Sequence, residues 1–188
     1  MYYAEENEKL REIVQRIAER SPGKVTSRPI DALLYSVVRA RKPDRCLELG
    51  AYEGTMSLYI AQGLKDNGEG ELTAVEVDEA SARGARQHLD EAGLEDYAEV
   101  VVADSTEYVP TLDGKFDLVF VDTPPNQYTE DYENVRPLLA DDGVLAVDDA
   151  LSSGNDDLVE RMEKDDGMNV LRFHEYRSFV LAQKSELR

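Results

Sequence analysis

Apolar residues near the start of the chain recur at helical spacing. Leu10, Ile13, Val14 and Ile17 form one stripe, and Ile30, Leu33, Leu34, Val37 and Val38 a second, which predicts two amphipathic helices. Ser21-Pro22-Gly23 is a breaker cluster between them. After Pro43 the pattern changes to short, nearly continuous apolar runs separated by helical stretches. The runs are Cys46–Leu49, Leu72–Val77, Val100–Ala103, Leu118–Val121 and Val144–Val147. Runs of this kind suit strands buried on both faces, hence a parallel sheet with helices on either side. The stretch from Asn169 to Lys184 is too short for a crossover helix and predicts an antiparallel hairpin at the sheet edge. The predicted fold class is α/β: a Rossmann-like, doubly wound, mostly parallel seven-stranded sheet with an antiparallel terminal hairpin and two N-terminal helices. No repeat or linker interrupts it, so residues 1–188 read as one domain, with a helical extension over 1–40 and an α/β core over 44–188.

Composition narrows the class. A chain of 188 residues with 41% hydrophobic residues and 12 Gly is long enough for one globular core. Its 21 Lys and Arg against 40 Asp and Glu leave a net charge of −19, which argues against nucleic-acid binding, since phosphate contacts need clustered cations. The apolar runs are far too short for a membrane span. The start, Met1 to Leu10, is acidic and polar, unlike a signal peptide, and a lone Cys46 suits a reducing cytosol. A cytoplasmic location is expected. Only 7 of the basic residues are Lys, against 14 Arg; this acidic, Lys-poor balance fits either a high-salt protein or an acidic mesophilic one.

The candidate chemistry lies at the strand ends. Asp104, Asp122 and the pair Asp148-Asp149 follow three runs, and Glu76 lies near the end of another. Ligands of open parallel sheets bind outside those ends, although a single Asp there is equally an ordinary turn or helix-cap residue. The first run leads into Glu48-Leu49-Gly50-Ala51-Tyr52-Glu53-Gly54, where two glycines permit a tight turn and close approach of a ligand. Their Gly-x-x-x-Gly spacing is not that of a dinucleotide pyrophosphate loop, which argues against a nicotinamide dehydrogenase. Glu76, 22 residues after Gly54, is placed to accept ribose hydroxyls. A nucleoside lacking a pyrophosphate fits better, and S-adenosylmethionine is the cofactor this points to.

Glu48–Gly54 resembles the first motif of class I S-adenosylmethionine-dependent O-methyltransferases, specifically the catechol and caffeoyl-CoA O-methyltransferase family. Leu138–Gly143 is similar to that family's approach to the fifth strand. Asp148–Gly154 resembles its Asp-Asn-x-Leu-x-x-Gly stretch, and Phe116–Asp122 with Tyr128 resembles its fourth strand and following loop. The resemblance implies that Glu48, Gly50 and Tyr52 line the methionine end of the cofactor, with Ala51, Gly54, Ser57 and Asp122 also in its site. It implies that Glu76 holds the ribose and that Asp104 and Ser105 lie against the adenine edge. Asp122, Asp148 and Asp149 match positions that bind a divalent cation, magnesium or calcium, and Glu175 matches an acid that touches the acceptor. The implied reaction is in-line methyl transfer to a small catechol-like acceptor, by positioning and metal polarisation. A homodimer is a further possibility, as relatives are often dimers.

Two positions depart from the family pattern. Asp149 stands where the family has Asn, adding a carboxylate that tightens cation binding and weakens the cation's pull on a phenolate. Pro125 stands where the family has its general-base Lys, and no Lys lies between Lys115 and Lys164. The proton then goes to His174, Glu175, Asp149 or solvent. The alternatives are a cofactor-binding protein with little catalysis and a metal-independent methyltransferase of another acceptor. Met56, where many relatives carry Ser, is partly compensated by Ser57. His88, beside Arg83, Arg86 and Gln87, reads as a surface residue, and Cys46 as a small apolar core residue. Tyr2, Tyr3 and Tyr35, with the N-terminal helices, either cap the site, form a dimer contact or serve helix packing.

Overall fold

The computed structural model describes residues 8–22, 29–150, 156–173 and 179–185. Helices α1 (Glu8–Arg20) and α2 (Pro29–Arg41) precede β1 (Arg45–Leu49), α3 (Thr55–Asn67), β2 (Glu71–Glu76) and α4 (Glu79–Ala92). Then come β3 (Ala98–Val102), the single turn α5 (Ser105–Tyr108), β4 (Phe116–Val121), α6 (Tyr128–Val135), β5 (Leu139–Val147), α7 (Asp156–Lys164), β6 (Met168–Phe173) and β7 (Phe179–Lys184). Strand order is β3-β2-β1-β4-β5-β7-β6. The first five strands are parallel, and β7 runs antiparallel to both β5 and β6. This is the predicted sheet, with the hairpin at its edge.

The apolar runs are continuous because each strand feeds two cores. Cys46, Ala74, Leu118, Phe120 and Ala146 face α1–α4, while Leu47, Leu49, Val119, Val121 and Val147 face α6 and α7. Burial of Cys46 pushes its thiol pKa up, in keeping with a core residue. Helix α1 seats Leu10, Ile13, Val14 and Ile17, with Glu8 in its first turn and Arg20 in its last, charges that suit the helix dipole. Helix α4 is capped by Asp78, which accepts from the Ser81 amide, and stops at left-handed Gly93.

Strand boundaries shift in two informative places. The second strand ends at Glu76, leaving Val77 67% exposed. The fifth begins five residues early, at Leu139, and passes through a register shift opposite Phe116–Leu118. Strand order reverses between β1 and β4, the switch point where the crevice of such sheets opens. Among the described residues no helix is long and apolar enough to cross a membrane.

Candidate active site

The turn after β1 sits against the end of β4. Gly50 has φ 87, and a Cβ added there would lie 2.3 Å from the Asp122 carbonyl oxygen, so glycine is required on both counts. The amides of Gly50 and Ala51 donate to Val75 O at 2.9 and 3.1 Å, tying the turn to β2. Tyr52 also adopts a left-handed φ of 49. Its amide donates to Glu76 Oε2 at 2.7 Å, while the Asp78 amide donates to Oε1 at 2.8 Å. Glu76 therefore joins the turns after β1 and β2. Each carboxylate oxygen has a second lone pair, so it can still accept a ligand hydroxyl.

Glu48 is 1% exposed. Its Oε2 accepts from Ser57 Oγ at 2.5 Å, and its Oε1 is buried with no hydrogen-bond partner. Burial pushes its pKa up to about 8, opposed by the Ser57 hydrogen bond and reinforced by Asp122 and Glu76. At neutral pH the carboxyl is mostly protonated, and a cation against Oε1 would favour the ionised form. Helix α3 starts after Gly54 without a side-chain cap, and the Thr55 hydroxyl is likewise buried and unpartnered. A buried acceptor and uncapped helix amides at one turn fit the ammonium and carboxylate of an amino-acid ligand. Ser57, expected in the cofactor site, donates its hydroxyl to Glu48 and keeps its acceptor lone pairs.

Beyond β3, Asp104 Oδ1 caps α5, accepting from the Thr106 amide and hydroxyl at 2.9 and 2.8 Å. Ser105 Oγ donates to Asp131 Oδ1 at 2.8 Å, and Thr123 Oγ1 donates to Oδ2 at 2.5 Å. Burial is the first cause raising the Asp131 pKa, with these two hydroxyls opposing it. Sequence reasoning missed Asp131 and Thr123. It also placed Val77 and Val102 within buried strands, whereas both are exposed apolar residues at the ends of β2 and β3.

Asp122 and Asp148 are placed by backbone bonds to neighbouring strands, Asp122 N to Leu49 O at 2.9 Å and Asp148 N to Val121 O at 3.0 Å. Asp148 Oδ1 accepts from the amide of Asp149, whose φ is 51. The buried Tyr128 hydroxyl donates to Asp148 O at 2.9 Å. Its pKa is pushed up by burial first, then by Asp122, Asp149 and Asp148. All three acids act electrostatically on this phenol, and among the described residues no three His, Cys, Asp or Glu side chains form a group able to hold a metal ion.

Pro125 is exposed in the turn after β4. His174, Glu175, Tyr2 and Tyr3 lie outside the described residues. Tyr35 bonds Asp66 on α3 at 2.6 Å, a helix-packing role. His88 is not a surface residue: it is 6% exposed, because α1 packs on α4 and brings Arg20 to 3.0 Å from its Nε2. Guanidinium can only donate, so Nδ1 carries the proton given to Glu53 O at 2.9 Å. Ser21 Oγ lies 2.8 Å from the Tyr52 hydroxyl, so the end of α1 rests on the Tyr52-Glu53 turn.

This crevice and sheet order define a methyltransferase-type fold. The sequence profile of the methyltransferase domain family matches residues 47–150, and the chain belongs to that family. It is 32% identical to a catechol O-methyltransferase of Mycobacterium tuberculosis over 123 residues, covering 65% of this chain and 54% of the relative. It is 29% identical to the catechol O-methyltransferase of Sus scrofa over 154 residues, covering 78% and 82%. An O-methyltransferase of Streptomyces achromogenes involved in tomaymycin synthesis, solved in complex with SAM, superposes with a TM-score of 0.81 at 25% identity, over 96% of this chain and 91% of that one. Several curated relatives are longer, and the chain spans only 54–65% of their length.

Proposed function

We propose that the chain is an S-adenosylmethionine-dependent O-methyltransferase of a small, catechol-like vicinal diol. The observation that carries this reading is the buried, unpartnered Oε1 of Glu48 beside the uncapped start of α3. Catechol O-methyltransferases among the relatives and a SAM complex among the similar structures support it. When bound, the cofactor supplies an electrophilic methyl group on a sulfonium. Glu48 takes the ammonium of the methionine end and gives up its own proton. Gly50 and Ala51 admit the ligand close to the backbone, with Tyr52 beside it, and Glu76 accepts from the ribose. Val77 and Val102 offer apolar flanks to the base, with Asp104 and Ser105 at its edge.

Pro125 has no atom that can take the acceptor's proton, which passes to His174, Glu175, Asp149 or solvent. Use of magnesium or calcium by Asp122, Asp148 and Asp149 requires their side chains to turn toward one point. Methyl-labelled cofactor incubated with a catechol panel, with magnesium and with EDTA, is the test. Label in at least one acceptor is expected, and its loss in EDTA is the signature of metal use. Pro125 favours one second reading, a cofactor-binding protein with little transfer: cofactor binding with no labelled product from any acceptor supports it.

A further inference from the structure

We propose that Asp131 is a positioning residue that sets the turn after β3 against the turn after β4 across the cofactor crevice. The proposal rests on the cofactor reading above. Strands β3 and β4 are not neighbours, because β2 and β1 lie between them. At about 4.8 Å per strand, three spacings separate their ends by roughly 14 Å, and no backbone ladder links the two turns directly. Each turn carries a proposed cofactor residue, Asp104-Ser105 on one and Asp122 on the other. Asp131 spans the gap: it is 0% exposed, and its two oxygens accept the Ser105 and Thr123 hydroxyls at 2.8 and 2.5 Å.

Its placement comes from α6. One turn earlier on that helix, Tyr128 donates to Asp148 O, so two residues at i and i+3 fasten the turns after β3, β4 and β5. A carboxylate buried among hydroxyls, with Asp104 and Glu130 as charged neighbours, is a costly way to fill space. An apolar side chain would serve packing better. What the carboxylate adds is two directed bonds, and these fix the distance between turns.

The test compares Asp131→Leu and Asp131→Asn with the parent. Asn keeps a bridge, accepting from one hydroxyl and donating to the other, whereas Leu keeps only volume. S-adenosylhomocysteine affinity by calorimetry is expected to fall about tenfold or more in the Leu variant and within about threefold in the Asn variant. Hydrogen exchange without ligand is expected to rise in the Leu variant at 103–106 and at 122–123 while β1 and β4 stay protected. A Leu variant that binds as the parent does, or unchanged exchange at both turns, overturns the proposal. If the parent itself binds nothing, the cofactor reading fails, and the exchange comparison still decides whether Asp131 links the turns.

Discussion

Replacing Glu48 with Gln removes a titrating proton and almost nothing else. The Glu48 pKa rises from 4.5 to about 8 on folding. At about 1.36 kcal/mol per pH unit this corresponds to about 5 kcal/mol between the two protonation states. The folded chain binds this proton more tightly than the unfolded one. The stabilising contribution is therefore complete below pH 4.5 and is lost as pH rises through 8. Gln does not titrate, so the stability of Glu48→Gln relative to the parent should grow by about 4 kcal/mol between about pH 5 and pH 8.5. Urea denaturation at both pH values measures it. A difference that stays constant with pH would refute the reasoning. The same proton governs binding. A cationic ligand selects the ionised carboxylate, of which only about 1% is present two pH units below the pKa. Affinity for S-adenosylhomocysteine should rise about tenfold per unit from about pH 6 to pH 7, with proton release, and Glu48→Gln should be weaker and flat.

Gly50→Ala meets both a left-handed backbone and the Asp122 carbonyl at 2.3 Å. A loss of about 2–5 kcal/mol is expected, seen as a melting temperature lower on the order of 10 °C; a melt unchanged within about 2 °C contradicts the clash. Pro125→Lys should raise methyl transfer about a hundredfold if a general base is what the turn after β4 lacks, and an unchanged initial rate would show that the proton leaves by another route. The charge of −19 is expected to make the fold more stable in molar KCl, where the screening length falls to about 3 Å; a melting temperature unchanged or lowered would show that self-repulsion is not a significant cost.

The sheet was legible because burial on both faces leaves a mark in sequence: Leu47 and Leu49 serve one core while Cys46 serves the other, so no polar residue is needed between them. Glu48, inside that run, was assigned only through the resemblance of Glu48–Gly54 to the family's first motif. Residues whose environment is set by distant elements were harder to read. His88 lies among Arg83, Arg86 and Gln87, and it is buried by elements distant in sequence, α1 and the Glu53 turn. Asp131 stands in Thr129-Glu130-Asp131, which reads as a solvated helix face until Ser105 and Thr123 arrive from two other turns. Val77 extends an apolar run without showing that the strand has already ended. Adjacency of Asp148 and Asp149 in sequence likewise says little about where their side chains point, because the left-handed backbone of Asp149 redirects the chain at that residue.

A crystal structure of the protein with S-adenosylhomocysteine tests the central claim most directly. The ligand should lie across the ends of β1–β4, its ammonium on Glu48 Oε1 and its ribose hydroxyls on Glu76. A ligand bound elsewhere, or Glu48 Oε1 still without a partner in a fully occupied complex, would contradict it.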